Sequence, residues 1–362
     1  MIRKVLMLTV ALMLIAGGTI SAQSGQGYEE ALACVLEQLP AEVYSTNEFI
    51  PTEEELASIE PLKETVHIRV GMPWILNDEE APFYNAVELG FYAEEGLVVE
   101  LVPGGPGRDH MQSLGAGAVD ITVQAAGSSI PIARISPTPI NTVAVGTLLK
   151  IGQYTYLTTN PDLLGRGLTP ADLVGSTIST QQGGGVYTQI LMDQLGLDFS
   201  SVTIEDTAGF GPDVLMTDPP QADFYTGWIA NQPRALEAAG LPWNYIRYGE
   251  WGPNEYTDVI AVSDEMLGTE EGREIVRRFM RATYRGLQYL VDNPEESAEI
   301  ASEYGVEAEL TVEQALWRFN IQEEQNMITG TDGMPLMYMD PEVWNSYMAV
   351  LLQYEQIEMD CE

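Results

Sequence analysis

Between Arg69 and Asp120 the chain runs twice through one local pattern: an apolar stretch, a loop of polar residues or glycines, then an amphipathic segment. The order reads strand, loop with a single tryptophan, helix, strand, glycine-rich loop, helix, strand. Such alternation predicts a parallel sheet with helices packed on it. It also sets two helix N-termini, each behind a loop, at the carboxyl edge of that sheet, where open α/β sheets bind their ligands. The residues offered there are Trp74, Asn77, Tyr84 and a run of glycines. They supply aromatic faces and hydrogen-bonding groups, with no nucleophile beside a base. That chemistry holds a small molecule without converting it.

A second unit repeats the pattern further on, with a strand at Thr177–Thr180, the loop QQGGG and a helix carrying Ile190, Leu191 and Leu195 on one side. Strands are also expected at Ser201–Glu205, Ala222–Tyr225, Trp243–Tyr248 and Asp258–Val262, with a helix near Pro212–Thr217. From Gly272 onward the pattern is helical. The fold class is therefore α/β: two lobes, each a mainly parallel sheet flanked by helices, with a helical C-terminal region. Residues 66–155 and 256–362 are expected to form lobe 1 and the C-terminal helices, residues 156–255 lobe 2, and residues 23–65 an N-terminal helical extension. The chain would cross between lobes near Tyr154–Thr158 and return near Tyr256–Ile260. Across the resulting cleft the first lobe would present Trp74, Asn77, Tyr84, Gly104, Gly105, Gln124 and Tyr256. The second would present Gln181, Gly183, Gly184, Tyr187, Tyr225, Trp228 and Asn231. Two crossings make a hinge, so the lobes are expected to close on a ligand.

The ends of the chain and its charge narrow the setting. Met1–Lys4 is positive, Val5–Ala16 is apolar and small residues follow, the three-part pattern of a secretory signal peptide covering residues 1–22. The mature protein is expected to be exported and soluble, in the periplasm or on the outer face of the cell membrane. Export permits a disulfide, and Cys34 and Cys361 are the two cysteines available for one. With only His67 and His110 besides, no soft-ligand metal site can be assembled, and neither a cofactor nor a catalytic residue is expected. Acidic residues number 54 against 16 basic ones, a net charge of −38. Nucleic acid and anionic membrane surfaces are expected to be poor partners because of that repulsion.

Several motifs carry a resemblance. They are W-x-x-N-x-x-x-A-P-F-Y-x-A-x-x-x-G-F-Y-x-E-E-G-L at Trp74–Leu97, a P-G-G turn with G-A-G-x-x-D at Gly115–Asp120, and glycines 183–185. Further along stand F-Y-x-G-W at Phe224–Trp228 and N-E-Y-T-D-V at Asn254–Val259. With these, residues 66–326 resemble the type II periplasmic solute-binding proteins of ABC importers, in the branch that binds thiamine pyrimidine precursors and riboflavin. Glu80 stands where thiamine-precursor binders commonly have a histidine. The resemblance implies a monomeric receptor that delivers a planar heteroaromatic compound to importer permease subunits. The same fold also serves small anions such as sulfonate or nitrate, for which convergent cations are wanted, and basic residues are few. An enzyme of the superfamily, the pyrimidine synthase, resembles a third possibility. It would need a histidine and a cysteine-rich motif that this chain lacks.

Overall fold

The computed structural model describes residues 27–361, apart from 61, 63, 182–183 and 208–210. The signal segment and Gly183 lie outside the described residues. Ten strands follow one another: β1 (Val66–Gly71), β2 (Leu97–Val102), β3 (Ile121–Gln124), β4 (Thr142–Leu149), β5 (Tyr154–Thr158), β6 (Thr177–Gln181), β7 (Thr203–Thr207), β8 (Phe224–Trp228), β9 (Asn244–Arg247) and β10 (Thr257–Ser263). They form two five-stranded sheets, ordered β2-β1-β3-β10-β4 and β7-β6-β8-β5-β9.

One strand in each sheet is reversed. β10 runs antiparallel to β3 and β4, and β5 runs antiparallel to β8 and β9. The reversal follows from the route of the chain. A strand that precedes a helix runs toward the cleft edge of its sheet, whereas one entering from the other sheet starts at that edge. Thus Tyr154, the first residue of β5, pairs with Trp228, the last of β8. Thr257 likewise begins β10 opposite Leu149, the last residue of β4. The segment Tyr154–Thr158, expected as a crossing, is thus a strand, and the crossing itself is the short stretch Lys150–Gln153.

The two crossings touch. Asn254 accepts a hydrogen bond from the Gly152 N–H at 2.9 Å and donates its own amide to the Lys150 carbonyl at 2.7 Å. A side chain at Gly152 would meet the Glu255 carbonyl at 2.8 Å, so glycine is required for this approach.

Strands covered on both faces read as near-continuous apolar runs, and β10 is buried from Thr257 to Val262. The helix Ala81–Glu88 is buried from Ala81 to Ala86, packed against the helices Glu270–Asp292 and Pro294–Tyr304. Gly286 permits that packing, since a Cβ there would lie 2.0 Å from the Pro82 carbonyl oxygen. The helix Tyr28–Gln38 of the N-terminal extension packs on the C-terminal helix Pro341–Gln353. A disulfide joins Cys34 to Cys361 there, with Cα atoms 5.5 Å apart. The helix expected near Pro212–Thr217 is a single 3-10 turn, Asp213–Leu215, because Pro219 and Pro220 leave no room to propagate it. No helix among the described residues is long and apolar enough to cross a membrane.

Candidate functional site

The cleft edges of the two sheets line a cavity of about 400 Å³. From the first sheet come Pro73 and Trp74 after β1, Ala125 after β3, and Asp258 at the start of β10. From the second come Gln153 before β5, Gln181 at the end of β6, and Trp228, Asn231 and Gln232 at the end of β8 and beyond. Trp74 keeps 36 % of its surface exposed, unusual for a tryptophan. One large aromatic face from each sheet thus borders a single slot, between side-chain amides.

The first-sheet wall is acidic. Asp78, Glu79 and Glu80 form one 3-10 turn, capped by Asn77. Arg318, fully buried, pairs with Asp78 at 2.7 Å and Glu79 at 3.1 Å, and Arg234 pairs with Asp78 at 3.1 Å. Glu80 accepts the Asn77 N–H at 3.0 Å and the Tyr84 hydroxyl at 3.3 Å. Asp258 is only 4 % exposed. Its φ of 55° is a left-handed backbone conformation that a non-glycine residue adopts at a cost, a kind of strain that clusters at ligand sites. Burial, and then the Glu79 charge, push the Asp258 carboxyl well above its usual range, with Arg318 opposing. Burial and Glu79 do the same to Glu80. A partly buried group of four acids against two guanidiniums favours a ligand that donates hydrogen bonds.

A second cavity of about 380 Å³ adjoins the slot, sharing Gln153, Gln181 and Trp228 with it. Its walls are Tyr154, Tyr187, Tyr248 and Tyr347, with Gly184, Glu255, Thr257 and Gln356. The Tyr154 ring lies 5.4 Å from that of Tyr187 and 5.7 Å from that of Tyr248. Burial pushes the Tyr154 hydroxyl up to about 12, so it stays neutral. Glu255 accepts the Tyr347 hydroxyl at 2.8 Å and the Ser128 N–H at 3.1 Å. Loss of water raises its pKa, and those hydrogen bonds oppose the shift.

Of the residues expected at the cleft, Trp74, Gln181, Gly184, Tyr187, Trp228 and Asn231 line these two cavities. Seven described ones do not. Tyr84 is fully buried and stacks on Tyr304 with centroids 4.2 Å apart, because the helix that ends at Tyr304 packs on its own. Tyr225 is fully buried too. It lies three residues before Trp228 on β8, and the strand's alternation turns it to the opposite face. The Tyr256 hydroxyl accepts the Asp340 N–H at 2.7 Å, which holds its ring against Trp344. Asn77 is committed to its cap, and Gln124 bonds Thr122 and Ser129 at 2.9 and 3.1 Å. Gly104 donates its N–H to the Trp74 carbonyl at 2.8 Å, and Gly105, at φ 130°, completes the same turn. These two glycines brace the tryptophan loop from behind. Sequence reasoning missed Gln153, Glu79, Asp258, Glu255 and Tyr347. Asp258 and Glu255 sit in the N-E-Y-T-D-V block that carried the resemblance, which was the available signal.

With this geometry the comparisons with known proteins agree. A family model described as NMT1/THI5 like matches residues 77–297, more than half of the chain. The chain belongs to the NMT1/THI5-like family. It is 27 % identical over 307 residues to a formylaminopyrimidine-binding protein of Halalkalibacterium halodurans, covering 83 % of this chain and 89 % of that one. It is also 27 % identical over 305 residues to the riboflavin-binding protein RibY of Chloroflexus aurantiacus, covering 81 % and 82 %. Among solved structures, the periplasmic aliphatic sulphonate-binding protein SsuA of Escherichia coli superposes with a TM-score of 0.58 at 15 % identity, over 80 % of this chain and 87 % of that one. The periplasmic nitrate-binding protein NrtA of Synechocystis PCC 6803 gives 0.54 at 15 % identity, over 80 % and 82 %. These likenesses show the periplasmic-binding-protein fold that the two sheets and the helical C-terminal region had suggested.

Proposed function

We propose that this family member is the extracytoplasmic substrate-binding protein of an ABC importer, capturing a planar heteroaromatic vitamin or vitamin precursor. It works as an exported monomer that hands its cargo to permease subunits and performs no chemistry on it. The observation that carries this reading is the slot itself. Trp74 and Trp228 come from different sheets, and the cavity they border is also lined by Asp258 and by the amides of Gln153, Gln181 and Asn231. Aromatic faces stack on a flat ring. Carboxylate and amide oxygens accept from its N–H edge. The named relatives, which bind a formylaminopyrimidine and riboflavin, support that ligand class.

A small anion is the poorer fit. It would sit against Asp258 and Glu79, and the cations of the region, Arg318 and Arg234, are already paired with carboxylates. Calorimetric titration with an aminopyrimidine, riboflavin, an alkanesulfonate and nitrate tests the reading. A heterocycle is expected to bind at micromolar concentration or below, while the anions give no heat. Tight binding of an anion with no heterocycle bound would overturn it.

A further inference from the structure

We infer that the tyrosine chamber is a second subsite, built for a hydroxylated chain attached to the ring that the slot holds. The inference rests on the reading of the slot given above. The two cavities share Gln153, Gln181 and Trp228, so a ligand seated in one can extend into the other. At about 400 and 380 Å³, each alone lies within the range of pockets that take a whole small molecule. Together they are more than one flat ring fills.

The chamber's chemistry differs from that of the slot. The C–H faces of a polyol pack on phenol rings, and its hydroxyls need acceptors and donors in return. Gln153 Oε1 and Thr257 Oγ1 have no hydrogen-bond partner among the described residues, though the two residues are 2 % and 3 % exposed. A carboxylate has about four acceptor sites, and Glu255 gives two to Tyr347 and Ser128. No lysine or arginine lines the chamber among the described residues. Its lining therefore fits a neutral, hydroxyl-rich substituent, and would repel an anionic one such as a phosphate.

Part of that wall comes from outside both sheets. Tyr347 stands on the C-terminal helix and Gln356 just beyond it, five residues before the Cys361 that is bonded to Cys34. The C-terminal segment, fastened to the N-terminal extension, thus becomes a specificity wall.

Calorimetry on the full chain with two flavins isolates the chamber: riboflavin, and lumiflavin, which has the same ring and a methyl group in place of the chain. Riboflavin is expected to bind at least about tenfold more tightly, roughly one well-placed polar contact. Gln356→Ala and Glu255→Gln should each erode that ratio by weakening riboflavin alone. Gln356 is exposed at the chamber's edge, so its variant should keep the wild-type melting temperature if the other loses stability. Equal affinity for the two flavins, or variants that weaken both alike, would overturn the subsite. An aminopyrimidine that binds while neither flavin does would overturn the subsite and leave the slot reading standing. Failure of all three ring compounds would overturn both.

Discussion

The loop after β2 and the loop after β6 look alike in sequence, and they do different things. Gly104 directs its N–H to the carbonyl of Trp74, and a Cβ on it would lie 2.4 Å from the Met72 carbonyl oxygen. Gly184 lines the tyrosine chamber, and a Cβ there would meet the Thr180 hydroxyl at 2.0 Å and the Gln181 carbonyl oxygen at 3.1 Å. One glycine lets two backbone segments of the same sheet edge touch. The other keeps a cavity wall low. A glycine before a helix therefore signals close approach without saying what approaches, protein or ligand.

Substitutions at these loops can break that contrast. Gly104→Ala is expected to have the largest effect on the fold, about 2–3 kcal/mol of lost stability, because backbone rather than a side-chain tip must yield. Chemical denaturation measures it, and a loss equal to or smaller than that of Gly184→Ala would reverse the assignment. Trp74→Ala comes next. Its affinity for the heterocycle should fall by roughly 1–3 kcal/mol, as for loss of a stacked aromatic, with little change in melting temperature. A core tryptophan would instead lose about 3–5 kcal/mol of stability. Gly184→Ala should cost about 1 kcal/mol of stability and chiefly weaken ligands that reach the chamber.

The acids sharpen the comparison from another side, since Asp78, Glu79 and Glu80 follow β1 and the second sheet brings amides to the slot. The carboxyls of Asp258 and Glu80 are raised above their unfolded values. Their contribution is therefore fully present below the unfolded carboxylate range and is lost as pH rises through the folded values. Asp258→Asn, which also tolerates the left-handed backbone well, should melt a few degrees higher than wild type near about pH 8. The two should converge near about pH 4. A variant less stable than wild type at the higher pH would contradict this. Its affinity for a donor heterocycle should meanwhile fall. The smallest expected signal is mechanical: saturating heterocycle should lower the radius of gyration in small-angle scattering as the sheets close over it. An unchanged radius would mean a rigid cleft.

Much of the architecture was legible because period-two and helical apolar patterns are local. β6 and β10 lie where the pattern put them, within a residue at each end. The reversed direction of β5 and β10 was not legible, since it depends on which sheet edge the chain enters. Within the site, Trp74 and Trp228 stood out as large rings beside polar neighbours at strand ends. Tyr84 and Tyr225 looked equally eligible, yet helices cover one and strand alternation turns the other inward. The N-E-Y-T-D-V block pointed to the neighbourhood of Asp258, but its positive φ and its burial in the slot wall emerge only from the fold. Tyr347 and Gln356 lie nearly a hundred residues beyond the second crossing, so only tertiary packing brings them to the chamber.

The central claim is that the two sheets each give one aromatic wall to a single ligand. Fluorine NMR of protein carrying 5-fluorotryptophan tests it most directly, with the resonances of the six tryptophans assigned by single substitution. Addition of the heterocycle that calorimetry selects should move the Trp74 and Trp228 resonances together, along one saturation curve, and leave the buried Trp344 in place. Movement of neither, or of one without the other at saturation, would contradict the account.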